Sequence, residues 1–255
     1  MKKTIALARV VVLESFRRKD PYVVLILGFV ITLGAGLFAR YGVAGLEKFV
    51  KDVSFTAVNV FTSVLCVVAA ARQIPMEVQN RTLYPLIAKP VSRATVLFGK
   101  YFGVGVLSSA VVLFFALELL VLFWWLGIAI EPIFFQALYL RILSMWLIAA
   151  LVIFMSLILT HAANVTISLM MVLAMNIFAN TILTVHSELQ GIPRKVAEVI
   201  YWVTPHLELF DLSKKVVHEW PPVPTWVLLS LTVYACFYSA CFIGLGIYRF
   251  RKMSL

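Results

Sequence analysis

Glu118 is the one carboxylate deep inside a long apolar run, and Arg141, near the start of the next run, is the cation placed to answer it. Glu118 lies about 12 Å from the end of its run at 1.5 Å per residue. Such a pair would be a structural tie, a neutral Glu beside an Arg, or part of a polar route through apolar surroundings. No second buried acid completes a relay, which favours the structural account. Two polar stripes add to this. Thr56, Asn59, Ser63 and Cys66 share one helical face, with Thr62 at its edge, and Asn176, Asn180 and Thr184 step at four residues with Thr166 on the same side. Small polar side chains of this kind either line a pathway or lock helices together.

Other chemistry is missing. Gly99-Lys100 is followed by Tyr101 and lacks an upstream glycine, so there is no P-loop to hold nucleotide phosphates. His161, His186, His206 and His218 are scattered, and Cys66, Cys236 and Cys241 form no C-x-x-C pair. A hydrolase needs a nucleophile with a base, or a metal cluster, and neither is present. Met170, Met171 and Met175 offer thioethers that suit Cu(I), but without paired Cys or His beside them packing is the better account. The chain is expected to bind no metal or cofactor and to be no enzyme.

The elements that must position these residues are membrane helices. The 255 residues are 62% hydrophobic and 13% charged, with mean hydropathy +0.98, whereas a soluble domain carries about 25% charged residues. A water-soluble enzyme and a disordered chain are both excluded. The net charge of +10 could suggest nucleic acid, but in a membrane chain the placement of Lys and Arg matters more than their sum, and no nucleic-acid partner is expected. A crossing takes about 20 apolar residues, and six stretches qualify: 22–38, 53–71, 101–126, 137–159, 165–185 and 226–248. Arg17-Arg18-Lys19 precedes the first, and no small-residue cleavage site follows, so it reads as a retained span. With the N-terminus inside, 14 basic residues fall on the cytoplasmic side and 8 on the other, as the positive-inside rule prefers. Both termini are then cytoplasmic. Trp124, Trp125 and Trp226 mark the outer boundary, where indole rings prefer the headgroup layer.

Three segments do not cross. Residues 2–19 place Ile5, Ala8, Val12 and Phe16 on one helical face and basic residues on another, the pattern of a helix lying in the membrane interface. The cytoplasmic connection 72–100 contains a short piece bracketed by Pro75, Pro85 and Pro90, which limit any helix to a few turns. Its Glu77, Arg81, Leu83, Tyr84, Leu86 and Ile87 mix charge with exposed apolar surface, the makings of a docking element for a soluble partner. The outer connection 186–225 is long for a structureless loop. Val196, Val199, Ile200 and Val203 share one helical face there, and Leu209, Leu212, Val216 and Val217 suggest a second short helix before Pro221. The fold class is therefore an all-α integral membrane protein. It has six transmembrane helices, an N-terminal interfacial helix, a short cytoplasmic helix and short outer amphipathic helices.

This arrangement resembles the ABC-2 type permeases. The cytoplasmic connection carries the likeness: Glu77, then Thr82-Leu83, then the run Leu86 to Arg93 containing Pro90, Val91 and Ser92, then Gly99-Lys100. Lys89 departs from the family's pattern, which favours a small polar residue before the proline. Thr204 to Asp211 is similar to a subgroup associated with multicopper-enzyme maturation. The resemblance implies that 1–255 is a single permease domain of the bacterial or archaeal cytoplasmic membrane. It implies a second copy of the chain and two copies of a separate cytoplasmic ABC ATPase, which would hold the ATP and Mg. It also implies that Met76, Glu77, Arg81, Thr82, Leu83, Leu86, Pro90 and Arg93 couple the chain to that ATPase. Asn59, Ser63 and Thr56 with Asn176, Asn180 and Thr184 would be candidates for the pathway lining, and the family's bias is toward export. The rival readings are a secondary carrier or channel, which would show paired intramembrane charges or inverted repeats, and a membrane assembly protein without transport.

Overall fold

The computed structural model describes residues 2–39, 46–79, 92–185 and 205–252, the stretch 174–185 by its backbone alone. Every regular element among these residues is helical. In chain order they are α1 (Lys2–Arg17), α2 (Asp20–Ala39), α3 (Leu46–Ala71), α4 (Pro75–Gln79), α5 (Arg93–Leu126), α6 (Pro132–Met155), α7 (His161–Val185), a 3-10 turn (Leu207–Phe210), α8 (Ser213–Val217) and α9 (Thr225–Lys252). Each expected span falls on one of the long helices. Five have the length and apolar character to cross a membrane: α2, α3 with its continuation to Gln79, α5, α6 and α9. In α7 the apolar stretch with described side chains, His161–Leu173, is shorter than a crossing.

Local sequence chemistry sets the helix ends. Ser92 caps α5 with extended backbone, its Oγ accepting the Thr95 N–H at 3.1 Å, and Gly127 closes that helix in the left-handed conformation, φ 73°. A side chain would be strained there. Pro132 opens α6 at a position where its missing N–H costs nothing. That helix starts five residues before the expected span and stops at Met155 rather than 159, because Ser156 begins a turn.

Helices α3, α5 and α6 pack against one another as the centre. Cys66, Ala70, Val104, Val112, Phe115, Leu119, Met145 and Ala149 are fully buried between them. α2 lies on α3 and α5, α7 on α3 and α6, and α9 on α6 and α5. The two flanking helices α2 and α9 bury 22% and 17% of their apolar length, against 56–61% for the central three. Their uncovered Val, Leu and Phe side chains mark surface suited to lipid rather than water.

Two close approaches use glycine. A Cβ on Gly99 would meet Leu7 Cβ at 2.6 Å, and one on Gly103 would meet Val11 Cβ at 2.6 Å. The Gly99-x-x-x-Gly103 pair is therefore the seat of α1. As a result α1 turns Leu7, Val11 and Ser15 toward the bundle and leaves Ile5, Leu13 and Phe16 outward. The amphipathic pattern of this helix serves two surfaces, one on protein and one facing out. Gly28 and Gly36 do the same for α2, where added Cβ atoms would strike Phe115 and Leu122 of α5. By contrast a Cβ added to Gly244 of α9 would meet nothing from a neighbouring element within 4 Å.

Candidate functional site

The polar side chains gather at two levels of the bundle. At one end the backbone turns out of α3 through Arg72, Gln73 and Ile74 into α4, and all three residues are buried. Lys100, on the first turns of α5 and 3% exposed, reaches into this turn. Its Nζ donates to the Gln73 carbonyl at 2.7 Å and pairs with Glu77 Oε1 at 2.7 Å. Burying an ammonium is costly unless its hydrogen bonds and counter-charge are supplied, and here both come from the junction. Gln73 folds back on the Ala69 carbonyl at 2.9 Å, and Arg72 donates to Ser15 of α1 at 3.2 Å. Asn164 of α7 donates to the Val152 carbonyl of α6 at 3.2 Å and to the Ala71 carbonyl at 3.5 Å, and is itself held by Ser168. Five helices thus meet around the root of α4.

Among the expected coupling residues, Glu77 faces inward onto Lys100, and Met76 is partly buried on the same short helix. Arg93 lies at the start of α5. It donates to the carbonyls of Phe250 and Arg251 at 2.6 and 3.3 Å and stacks its guanidinium 5.6 Å from the Phe250 ring. It thereby ties α5 to the last turn of α9. Arg81, Thr82, Leu83, Leu86 and Pro90 lie outside the described residues. Sequence reasoning named Glu77 but missed Lys100 as its partner. The spacing from 77 to 100 spans a loop and a helix start, so no local period links them.

The second level is built on Arg141 of α6. Its Nε and one terminal nitrogen donate to Thr62 Oγ1 at 3.0 and 2.8 Å, and that nitrogen also reaches Ser63 Oγ at 2.7 Å and the Asn59 carbonyl. Asn59 continues outward, donating to Ser213 Oγ at 2.8 Å and Asp211 Oδ1 at 3.2 Å. Asp211 also accepts from the Ser213 N–H and hydroxyl, at 2.9 and 2.5 Å. A cavity of about 50 Å³ lies against Asn59, Ser63, Arg141, Ser144 and Asp211. That is room for a few water molecules, well short of the 300–1,000 Å³ typical of sites for organic ligands.

The structure does not join Glu118 to Arg141. The carboxyl of Glu118 meets the Thr32 hydroxyl of α2, while Arg141 turns to the polar face of α3. The expected ion pair is corrected on this point: the two residues sit on different sides of α5 and α6, and each is engaged by a different neighbouring helix. Of the two polar stripes, Asn59 and Ser63 meet Arg141, whereas Thr56 is exposed and outside the cavity. Asn176, Asn180 and Thr184 lie on the α7 backbone, with side chains outside the description.

The segment from Pro205 to Pro224 closes over this level. Gln136 binds Val223 in both directions, accepting its N–H at 2.8 Å and donating to its carbonyl at 3.0 Å. Tyr234 Oη accepts the His206 N–H at 3.0 Å. Lys51, 3% exposed, pairs with Glu219 at 2.6 Å, and this contact holds the Glu219 carboxyl below its usual pKa. Glu219 has left-handed backbone, φ 55°, which is uncommon for a residue with a Cβ. Leu207, Phe210, Leu212, Val216 and Val217 of this segment are buried, while Leu209 is exposed. The face 196–203 expected for a first outer helix lies outside the described residues. Ser213 and Glu219 were not singled out from the sequence, and Asp211 entered there only as the end of the Thr204–Asp211 likeness.

Comparison with protein families matches residues 22–255 to the ABC-2 family transporter proteins. The match begins within α2 and takes in both polar levels except for Ser15 of α1. Comparison with curated proteins finds no match.

Proposed function

Since this chain belongs to the ABC-2 family of transporter proteins, a group of multi-pass membrane proteins, we propose that it is the permease subunit of an ABC exporter. Two copies pair in a bacterial or archaeal cytoplasmic membrane with both termini in the cytoplasm, and two copies of a separate ATPase bind and hydrolyse MgATP beneath them. The observation that carries this reading is the root of α4. A short helix is held at one end of the bundle by the Lys100–Glu77 pair, and its root by a hydrogen bond to α1 and others from α5 and α7. A push on such a helix moves several membrane helices together, because packed interiors transmit displacement rather than absorb it. The residues expected between 81 and 90 would supply the outer contact surface of this element, with Met76 at its edge and Arg93 fastening its far side to α9.

The pathway in this reading runs between copies, with Thr56, exposed on α3, and the α7 stripe Asn176, Asn180 and Thr184 as its candidate lining, while Asn59 and Ser63 serve the Arg141 network within each protomer. The small size of the Arg141 cavity supports this placement over a route through one protomer. The test is reconstitution of the chain in vesicles with and without an ABC ATPase subunit that co-purifies with it. Vanadate-sensitive solute movement only in the joint preparation is expected. Robust flux from the chain alone, without nucleotide, would overturn the proposal in favour of a secondary carrier.

A further inference from the structure

Glu118 lies on α5 in a groove between α2 and α5, lined by Phe29, Leu33, Phe114, Leu117, Val121 and Trp125. The spacing Gly28, Thr32, Gly36 brings α2 onto α5, since added Cβ atoms at either glycine would collide with Phe115 or Leu122. Thr32, midway between them, is thereby set against the carboxyl of Glu118. One carboxylate oxygen is engaged in this way. The other, Oε2, is buried without a hydrogen-bond partner, and no Lys or Arg among the described residues forms an ion pair with it. The groove opens outward, for Phe114, Leu117 and Val121 are exposed on a helix of membrane character. Its volume is about 400 Å³, within the range of small-molecule sites.

We infer that this groove is a binding site for a lipophilic ammonium entering sideways from the bilayer, its charged nitrogen on Glu118 Oε2 and its apolar body along the groove. An acceptor oxygen with no donor in an apolar wall is completed by an N–H that also brings positive charge. The rings of Phe29 and Phe114 add attraction for a cation passing over their faces. An alcohol could supply the hydrogen bond but not the charge. A lipid headgroup amine is excluded by depth, because Glu118 stands about 12 Å from the end of its helix at 1.5 Å per residue, below the headgroup layer.

This site is independent of the coupling scheme above, so it is tested with no ATPase present. The full chain in phosphatidylcholine nanodiscs is titrated with a dansyl-tagged undecylamine, and energy transfer from tryptophan to dansyl is read. Saturable transfer is expected, at least tenfold weaker in Glu118→Gln, which keeps the size of the side chain and an acceptor for Thr32. The matching dansyl-tagged undecanol is expected to bind at least tenfold more weakly than the amine. Leu117→Trp, which narrows the groove without touching the carboxyl, is expected to weaken the amine too. Equal binding to wild type and Glu118→Gln, equal binding of amine and alcohol, or no saturable transfer in the wild type would each overturn the assignment. A thermal midpoint for Glu118→Gln matching the wild type shows that a loss is not unfolding.

Discussion

Replacing Glu77 by Gln keeps an amide acceptor beside the Gln73 backbone carbonyl but removes the counter-charge of the buried Lys100 ammonium. At 2.7 Å two unit charges attract by about 6 kcal/mol at an effective dielectric constant of 20. Much of that is offset by desolvation of the pair. Removing one partner of a fully buried pair costs about 3–5 kcal/mol, and the Glu77 side chain is 29% exposed, so water replaces part of the loss. The expected cost is about 2 kcal/mol, equivalent to about a thirtyfold shift away from the anchored position of α4. In thermal unfolding that corresponds to a fall of about 4–8 °C for a chain of this size. The informative experiment is the double mutant Glu77→Gln, Lys100→Met, which removes both charges and so leaves no buried charge without a counter-charge, at the cost of the donor to the Gln73 carbonyl. If Glu77 acts by anchoring α4, the double mutant recovers most of the thermal midpoint and most of the ATPase stimulation in the assembled complex. If stimulation stays lost while the midpoint recovers, Glu77 touches the ATPase directly and the anchoring argument is wrong. An unchanged midpoint in Glu77→Gln alone refutes the energetic estimate.

Other outcomes follow from the same geometry. Gly103→Leu puts a side chain where Val11 and the Ala8 carbonyl stand, and overpacking of this kind costs about 1–3 kcal/mol. It is expected to release α1, read as faster protease cleavage between α1 and α2, whereas Gly244→Ala, in open space, leaves both cleavage and stability unchanged. Arg141→Met strips Thr62, Ser63 and Asn59 of their shared donor and is expected to cost about 2–3 kcal/mol, with Arg141→Lys recovering only part because a single ammonium cannot span the three acceptors. Glu219, with its folded pKa below the unfolded value, stabilises the chain above the usual 4.5, and that contribution is lost as pH falls through the lower folded value. The acid limb of a stability–pH profile is therefore expected to flatten in Lys51→Met, while the profile above pH 6 keeps its shape.

Much was determined by sequence alone, because crossing a bilayer is a demand on length and apolarity that each segment meets by itself. The long helices α2, α3, α5, α6, α7 and α9 all sit where hydropathy placed them, and Ser92, Gly127 and Pro132 set their ends by local chemistry. The short helix at Glu77 and the short outer helix that includes Val216 and Val217 were legible through prolines and apolar spacing. What only tertiary structure decided is which helix faces which. A period of 3.6 residues defines a polar stripe but not the neighbour it meets, so Glu118 and Arg141 looked like partners. The glycines of α2 instead bring Thr32 to Glu118, and the α3 stripe takes Arg141. Lys100 with Glu77 and Lys51 with Glu219 are likewise pairings across the fold. Charge and hydrogen-bond partners in an apolar bundle are set by the rotation and close approach of whole helices, which no single segment encodes.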